Sequence, residues 1–298
     1  MTPALILALN PSIDAEWRAA DVRWEEKNNV SSERRWAGGK GINVARWLQH
    51  LGGKPALVLP LGGHTGRELA GYLKQEKLSA TVVPLREPTR VNVIVTTTAG
   101  RQMRFNPLGP KLSAGEWARM VKTVRRRLAR AGLLVLSGSL PRGVPVSAYA
   151  QLIRLAHRLG VKTLLDCDGP ALAAAVPSRP FLVKPNEHEL AQWWGQTATS
   201  EAQVLQAARA LSRRTRGWVL VSRGAKPAVL VNAGAGIEHF TRPPRARVRN
   251  TVGAGDALLA AVARQVQLGA PPETWLHRGV TVGAMATRCE AGLVAGRR

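Results

Sequence analysis

The sequence predicts an α/β protein built on a mainly parallel sheet. Short apolar segments alternate with segments that repeat apolar residues at helical spacing, which is typical of successive βαβ units. Apolar residues make up 45% of the 298 residues, an ordinary share for a globular protein with a sizeable core. The chain has no internal repeat, no low-complexity tract and no linker long enough to separate two domains. We therefore expect a single domain over residues 1–298.

The apolar segments locate the main strands and helices. Buried strands are predicted at Leu5–Leu9, Leu133–Leu136, Val161–Leu165 and Trp218–Val221. Apolar residues at helical spacing predict one helix around Trp117–Leu128 and another around Leu259–Val266. Gly160 follows a further predicted helix and suits a C-terminal cap before the next strand.

Two segments do not fit this alternation. Residues 15–36 are polar and carry Trp17, Trp24 and Trp36, whereas residues 91–105 alternate and are rich in Val and Thr. We expect both to form antiparallel strands attached to the main sheet, as a discontinuous lid over approximately residues 12–36 and 88–106. The three Trp side chains are expected to serve packing or an interface rather than substrate binding.

The charge balance is unusual, since 43 Lys and Arg residues against 19 Asp and Glu residues give a formal net charge of +24. Such an excess could support nonspecific binding to nucleic acid or to a membrane surface, or could favour phosphorylated substrates. The basic residues are spread along the chain, without a run of five or more and without interleaved aromatic residues. We therefore expect a solvated basic surface and no specific nucleic-acid partner.

The two cysteines and the apolar segments limit the class of protein. Cys167 and Cys289 lie far apart and form no CxxC or CxxH cluster, which argues against a disulfide framework or a zinc site and favours the cytoplasm. No segment approaches the ~18 apolar residues of a membrane span, so we expect no membrane partner. The apolar start lacks the basic leader of a signal peptide.

The most informative motif is NTVGAGDA at Asn250–Ala257. The small residues Gly253, Ala254 and Gly255 let successive backbone N–H groups converge at a helix N-terminus, where the helix dipole favours an anion. Asp256 follows in the first turn. An acid beside an anion site suits phosphoryl transfer, because the amides offset charge on the transferring group while the carboxylate accepts a proton. The alternative is a glycine-rich turn in which Asp256 only starts the helix.

A second glycine-rich motif is AGGKGIN at Ala37–Asn43, which leads into another amphipathic segment. Its glycines allow a ligand to approach the backbone closely. Lys40 supplies a positive charge, and Asn43 can exchange hydrogen bonds with hydroxyl groups. The motif is not a P-loop, because GxxxxGK[ST] occurs nowhere in the chain. A plain connection from strand to helix remains the alternative.

Two further motifs carry acidic residues. KPNEHEL at Lys184–Leu190 could contact phosphates and hold Mg²⁺ through water, although an acidic helix start explains it equally well. Asp14 follows Asn10-Pro11-Ser12 and could accept hydrogen bonds from sugar hydroxyls, with a capping role as the alternative.

In their order and spacing, these four motifs resemble those of the PfkB/ribokinase family of carbohydrate kinases, closest to its 1-phosphofructokinase, 6-phosphofructokinase and tagatose-6-phosphate kinase branch. The resemblance covers nearly the whole chain. It includes LNPSID, AGGKGINVA, TRVN at Thr89–Asn92, LSGSLPRGVP at Leu136–Pro145, KPNEHEL and NTVGAGDA. It implies a ribokinase-like three-layer α/β/α fold with a small β lid, ATP and Mg²⁺ as cosubstrate and metal, and a homodimer formed through the lid.

The resemblance also implies a role for each site residue. Asp256 would be the general base, with Gly253, Ala254, Gly255 and Asp256 as the anion hole. The sugar would be held by Asp14, Gly38, Gly39, Lys40, Asn43 and Ser139, and its existing phosphate by Lys27, Arg90 and Arg104. ATP would be held by Lys184, Asn186, Ser222, Gly224, Gly253 and Gly255, and Mg²⁺ by Glu189 through water. In the nucleotide loop, Arg223 and Pro227 stand where the family has an apolar residue and a glycine.

The expected reaction is ATP-dependent phosphorylation of fructose 1-phosphate, fructose 6-phosphate or tagatose 6-phosphate to the bisphosphate. Arg90 and Arg104 favour a phosphorylated substrate, because the planar guanidinium grips a phosphate in two places. A kinase of an unphosphorylated sugar or a nucleoside is the alternative within the class. A non-catalytic binding protein acting through its net charge is the alternative outside it.

Overall fold

The computed structural model describes residues 2–294, and these residues form two sheets surrounded by helices. The strands are β1 (Ala4–Leu7), β2 (Ser12–Ala19), β3 (Val30–Gly38), β4 (Pro55–Gly62), β5 (Ala80–Leu85), β6 (Arg90–Thr97), β7 (Gln102–Phe105), β8 (Leu133–Ser137), β9 (Lys162–Asp166), β10 (Leu182–Val183), β11 (Trp218–Val221), β12 (Ala228–Asn232) and β13 (Ile237–Thr241). The helices are α1 (Lys40–His50), α2 (Gly63–Gln75), α3 (Ala114–Leu128), α4 (Ala148–Arg158), α5 (Gly169–Ala175), α6 (Glu187–Trp194), α7 (Glu201–Thr215), α8 (Ala254–Gln267) and α9 (Pro272–Ala286), with a 3-10 turn at Val176–Ser178.

The main sheet has nine strands in the order β13-β12-β11-β10-β9-β8-β1-β4-β5. Every neighbouring pair from β11 to β5 is parallel, and only β12 and β13 run antiparallel to their neighbours. The predicted mainly parallel sheet is confirmed. The predicted strands match β1, β8, β9 and β11 with their ends shifted by up to two residues, as expected for bounds drawn from periodicity alone.

Helices cover both faces of this sheet, which gives the three-layer architecture expected from the sequence. In β1, Ala4 and Ile6 pack into the core with α1, α2, α8 and α9. Leu5 and Leu7 pack on the opposite face with α3 to α7. Because successive strand side chains point to opposite faces, a strand with helices on both sides must be apolar at every position.

Four strands form a second, smaller sheet in the order β3-β2-β6-β7. The expected antiparallel strands are present within each segment, since β2 pairs with β3 and β6 pairs with β7 in antiparallel register. The expectation that they attach to the main sheet was wrong: among the described residues they form a separate sheet, whose central pair β2 and β6 is parallel. The reason is connectivity: β2 directly follows β1, whereas β6 follows β5 at the far edge of the main sheet, so both strands enter the small sheet from the same side.

Parallel strands end at one edge of the main sheet, and polar residues cluster there. Ser137 ends β8, Asp166 ends β9, Lys184 follows β10 and Ser222 follows β11. Ligands of open α/β sheets bind outside these carboxyl ends. Within residues 2–294, no helix is both long and apolar enough to cross a membrane.

Candidate active site

A cavity of about 670 Å³ lies where the carboxyl ends of the parallel strands meet the small sheet. The main sheet contributes Ser137, Asp166 and Lys184 to its lining, and the small sheet contributes Asp14 and Arg90. A cavity of this size accommodates ligands as large as a nucleotide or a sugar phosphate.

The lining contains buried polar atoms that no protein group satisfies. Within the described residues, the atoms are Asn10 Oδ1, Arg90 Nε, Asn92 Oδ1, Ser137 Oγ and Asp166 Oδ2. A buried donor or acceptor without a partner costs about 1–3 kcal/mol. Their concentration in one cavity indicates a site built to hydrogen-bond a polar ligand.

Asp256 lies buried in the first turn of α8, with Gly253 as the N-cap residue. Gly253 has a φ of 80°, a left-handed conformation that glycine adopts without strain. Asn43 Nδ2 donates to Asp256 Oδ2 at 2.8 Å. Burial, reinforced by the negative charge of Asp166, raises the pKa of Asp256 to about 6, while the Asn43 hydrogen bond and the charges of Lys40 and Lys184 act in the opposite direction.

The turn before α8 also presents free backbone donors. Within the described residues, the N–H groups of Gly253, Gly255 and Asp256 have no hydrogen-bond acceptor. The N–H of Ala254 donates to the carbonyl of Thr251 at 3.4 Å, and Ala254 does not line the cavity. The free donors of this turn are therefore the amides on either side of Ala254, at the positive end of the helix.

A charged cluster faces Asp256 across the cavity. Lys40 Nζ and Lys184 Nζ each lie 3.3 Å from Asp166 Oδ1, and Lys40 Nζ lies 3.6 Å from Glu189 Oε1. Burial opposes ionisation of Asp166, but the charges of Lys184 and Lys40 hold its pKa below the usual range. Burial also disfavours the charged form of Lys40, but the surrounding carboxylates raise its pKa above the ordinary value. Asp166 and Lys40 are therefore both charged at neutral pH.

Asp166 and Glu189 suit a divalent cation held partly by water. Asp166 Oδ2 is buried without a partner, and Glu189 Oε1 points toward the same lysine as Asp166 Oδ1. No group of three or more His, Cys, Asp or Glu side chains within residues 2–294 could enclose a metal ion. Mg²⁺ fits such a sparse donor set, because it retains several waters and takes further oxygens from bound phosphates.

Asn186 and Glu189 also start α6. Asn186 Oδ1 accepts from the N–H of Glu189 at 2.8 Å, and Glu189 Oε2 accepts from the N–H of Asn186 at 2.9 Å. This is a capping box, so the structural alternative considered for KPNEHEL is present. Both residues line the cavity as well, and Glu189 Oε1 is left to face Lys40.

Asp14 lies in β2, directly opposite Asn92 in the parallel strand β6. Asp14 Oδ1 accepts from Ser12 Oγ at 2.7 Å and from Asn92 Nδ2 at 2.9 Å, which leaves Oδ2 for a ligand hydroxyl. Gly38 does not line the cavity. A Cβ at Gly38 would lie 2.2 Å from Asp14 Cγ, so Gly38 acts by leaving room for this carboxylate.

The two arginines predicted to hold a phosphate differ in their surroundings. Arg90 Nη1 donates to the carbonyl of Pro107 at 2.8 Å and Nη2 to the carbonyl of Asn10 at 2.9 Å. Arg104 is exposed on β7 and donates to Gln102 Oε1 at 2.9 Å. Arg90 therefore also braces the cavity wall, whereas Arg104 is the freer cation.

The structure brings most of the predicted site residues into one cavity. Its lining includes Asp14, Gly39, Lys40, Asn43, Arg90, Arg104, Ser139, Lys184, Asn186, Glu189, Ser222, Gly253, Gly255 and Asp256. Lys27 is exposed in the loop between β2 and β3, outside this cavity. Gly224 is also exposed and does not contribute to the lining.

Two important residues were missed by sequence reasoning. Asp166 directly follows a predicted strand, and the rule that ligands bind at the carboxyl ends of parallel strands could have identified it. Arg46 lies on α1 and is only 6% exposed, although an arginine in an amphipathic helix normally faces solvent.

Arg46 connects the half-buried carboxylate of Glu76 to the hydrogen bond on Asp256. Its Nε and Nη2 donate to Glu76 at 2.6 and 2.9 Å, and Nη2 also donates to the carbonyl of Ala37. Its Nη1 donates to Asn43 Oδ1 at 2.9 Å. Because Asn43 Oδ1 is held by Arg46, the Asn43 amide group must present Nδ2 to Asp256.

Residues 9–293 match the family model described as pfkB family carbohydrate kinase. The chain is 34% identical over 284 residues to the ATP-dependent 6-phosphofructokinase isozyme 2 of Escherichia coli (strain K12), covering 94% of this chain and 91% of that protein. It is 31% identical over 280 residues to the 1-phosphofructokinase of Bacillus subtilis (strain 168), covering 93% and 90%. The solved structure of the tetrameric inhibited form of phosphofructokinase-2 from Escherichia coli superimposes with a TM-score of 0.91 at 33% identity, covering 96% of this chain and 94% of that chain.

The raised pKa of Asp256 predicts a specific pH dependence of stability. Between its ordinary pKa of 3.8 and its folded-state value of about 6, the folded protein binds more protons at this position than the unfolded chain. The contribution of Asp256 to the free energy of unfolding therefore falls as the pH rises through this window. We expect Asp256→Asn to gain thermal stability relative to the wild type above pH ~6. The gain should shrink towards pH ~4 in melting curves of the two proteins, and a difference independent of pH would contradict it.

The Arg46 contacts predict a change in the Asp256 pKa itself. Arg46→Met should free the Asn43 amide to turn and so raise the pKa of Asp256 above about 6. The measurement is a carbon-13 NMR titration of carboxyl groups, with Asp256→Asn identifying the resonance. Arg35→Met is the matched control, because Arg35 makes the same two-point contact with Glu68. An Asp256 titration identical in the Arg46 variant and the wild type would rule out the orienting role.

Proposed function

The chain belongs to the pfkB family of carbohydrate kinases, and on this premise we propose that it transfers a phosphoryl group from ATP to the free hydroxyl of a ketohexose phosphate. The product would be a ketohexose bisphosphate. The relatives named as phosphofructokinases support this substrate class, and the chain covers about nine-tenths of each. As a pfkB carbohydrate kinase with such relatives, the chain is a sugar-phosphate kinase.

The observation that carries the proposal is that Asp256 lines the same cavity as two sets of protein groups. One set is the free amides at the start of α8 together with Lys184, which suit the phosphates of ATP. The other set is Asp14, Lys40 and Asn43, which suit a sugar and its hydroxyls. A hydroxyl held between these groups would lie next to a carboxylate whose pKa of about 6 leaves it ionised and basic at neutral pH.

In the proposed reaction, the acceptor oxygen attacks the γ-phosphorus of ATP in line with the leaving ADP. Asp256 Oδ1 accepts the hydroxyl proton, because Oδ2 already accepts from Asn43. The amides of Gly253 and Gly255 and the ammonium group of Lys184 offset negative charge on the transferring group. Bound Mg²⁺ would supply charge neutralisation between the ATP phosphates, and Asp166 and Glu189 are the residues that would hold it through water.

The nucleotide is proposed to lie along the ends of β10 and β11, over Asn186, Ser222 and Gly224. Arg223 stands in this loop where the family has an apolar residue, and its side chain is buried. Arg223 Nε lies 2.8 Å from Glu187 Oε1, and Nη1 donates to the carbonyl of Pro227 at 3.3 Å. These contacts fix the loop, so Arg223 is proposed as a support of the nucleotide loop rather than a contact of ATP.

The small sheet is proposed to be both a lid and an interface with a second copy of the chain. Large apolar side chains on it and its loops are exposed: Trp24 by 79%, Leu108 by 76% and Phe105 by 52%. One solved relative is described as tetrameric. Lys27 lies outside the cavity of its own chain, so it would hold a substrate phosphate only from such a neighbouring copy. The cytoplasm is the proposed location.

A substrate panel tests the reaction and the substrate class together. We expect ADP release from Mg-ATP with one or two of fructose 1-phosphate, fructose 6-phosphate and tagatose 6-phosphate, and little with free fructose or ribose. Turnover confined to free sugars would contradict a phosphate-binding role for Arg90 and Arg104. A lack of turnover with every sugar would contradict the kinase proposal.

The role of Asp256 predicts a loss of turnover without a loss of fold. Asp256→Asn should lower kcat by roughly 10²–10⁴-fold, because the amide cannot accept the hydroxyl proton. ATP binding, measured by calorimetry, serves as the control for an intact site. Activity within about tenfold of the wild type would exclude Asp256 as the general base.

The freer arginine gives the clearer test of phosphate recognition. Arg104→Ala should raise the KM for the sugar phosphate about tenfold or more and leave the KM for ATP unchanged, since a charge-assisted contact contributes about 1.5–3 kcal/mol. Arg101→Ala is the matched control, because Arg101 is an exposed arginine beside β7 that does not line the cavity. Equal KM values for the sugar phosphate in Arg104→Ala and Arg101→Ala would show that Arg104 does not hold the substrate phosphate.

A further inference from the structure

A second cavity, of about 400 Å³, lies at the opposite edge of the main sheet. Lys162 begins β9, Phe181 precedes β10 and Trp218 begins β11, and all three line this cavity. The same three strands end at the candidate active site. The second cavity is therefore separated from the first by the length of the strands, about 15 Å at 3.3 Å per residue.

Basic side chains dominate the lining of this second cavity. Lys162, Arg179, Arg216 and His157 line it, and among the described residues no Asp or Glu does. Within residues 2–294, the side chains of these four residues form no salt bridge or hydrogen bond with another protein group. Lys162 Nζ lies 4.8 Å from the centre of the Phe181 ring, its one charge-stabilising contact in the described part of the chain. The four residues are exposed to solvent, and Lys and Arg side chains gathered around one concave surface favour an anionic ligand.

Two of the arginines adopt a backbone conformation that glycine would adopt without strain. Arg179 has a φ of 55° and Arg216 a φ of 53°, and each caps the C-terminus of the helical segment before it. This left-handed conformation costs a residue with a Cβ about 1–2 kcal/mol. A basic residue is favourable at a helix C-terminus, but Arg213 and Arg214 already fill that role in the last turn of α7. The helix end alone therefore does not account for the arginine at position 216.

The floor of the cavity is rigid. The rings of Phe181 and Trp218 both pack against Trp275, with centroid distances of 5.8 and 5.3 Å. Trp218 is buried, and Asn232 adds an amide group to the wall. The charged groups therefore stand around a fixed aromatic surface, so an anion that binds here does not have to order the floor of its own site.

We propose that this second cavity binds a small anion that carries two linked phosphate groups. Lys162, Arg179 and Arg216 supply three permanent positive charges, which match the charge of a diphosphate, and guanidinium groups grip phosphate oxygens in two places. The volume admits inorganic pyrophosphate or the diphosphate of a nucleotide. The site is independent of the proposed kinase reaction, because none of its residues lines the first cavity.

The test is calorimetric titration of the full chain with inorganic pyrophosphate in the absence of Mg²⁺. The double variant Arg179→Gly/Arg216→Gly should bind one equivalent of pyrophosphate fewer than the wild type. The glycine variant should melt no lower than the wild type, because glycine relieves the left-handed strain at both positions. Arg213→Ala/Arg214→Ala removes the same charge from exposed positions outside the cavity, and it should retain the wild-type number of sites.

Each outcome of the titration decides the proposal. If the glycine variant binds as many pyrophosphates as the wild type, the proposal is overturned. If the Arg213 and Arg214 variant also loses one bound pyrophosphate, the binding reflects general surface charge and the proposal is overturned as well.

Lys162→Gln provides a second variant that leaves both helix ends intact. It should weaken pyrophosphate binding in the second cavity about tenfold or more. Repeating the titration with ADP distinguishes the sources. If ADP binds in the second cavity more tightly than pyrophosphate does, the ligand is a nucleotide. If the two bind equally, the site recognises the phosphates alone.

Discussion

The proposed reaction depends on keeping one carboxylate, that of Asp256, ionised inside the protein. Asp256 is buried and faces the negative charge of Asp166, and both effects oppose its ionisation. The Asn43 hydrogen bond and the charges of Lys40 and Lys184 limit the rise of its pKa to about 6. A lower pKa would weaken the carboxylate as a base, and a much higher one would leave it protonated at neutral pH. The neighbours of Asp256 thus bring its pKa into the range that proton transfer requires.

This electrostatic requirement explains much of the local architecture. The groups around Asp256 come from three separate elements, since Asn43 and Lys40 lie on α1, Asp166 ends β9 and Lys184 follows β10. The parallel sheet is what brings them together, because its strands all end at one edge. Arg46 contributes from behind, where its pairing with Glu76 fixes the Asn43 amide. The sheet, the pair of Arg46 with Glu76 and the Asn43 amide therefore act as one support for the carboxylate of Asp256.

Sequence reasoning recovered the parts of the protein in which local pattern determines structure. Continuous apolar segments identified the buried parallel strands, and glycine-rich motifs identified the turns before α1 and α8. The parallel pairing of β2 with β6 could not be deduced, because it depends on where β5 ends in space. Arg46 was missed for a related reason: its charge resembles that of a solvent-exposed residue until its partners Glu76 and Asn43 are located. Lys27 was assigned to the site from the family resemblance, but its own chain places it outside the cavity.

The surface and the site of this protein differ in charge. The chain has a formal net charge of +24, yet the lining of the first cavity holds more acidic than basic groups. The acids are Asp14, Asp166, Asp168, Glu189 and Asp256, and the bases are Lys40, Lys184, Arg90 and Arg104. The surface charge therefore acts on the approach of anionic substrates, where it raises their local concentration and is weakened by salt. In the proposed reaction, the phosphates would be stabilised by directed donors and by the cation that accompanies ATP, because the carboxylates of the cavity offset the charge of its lysines and arginines.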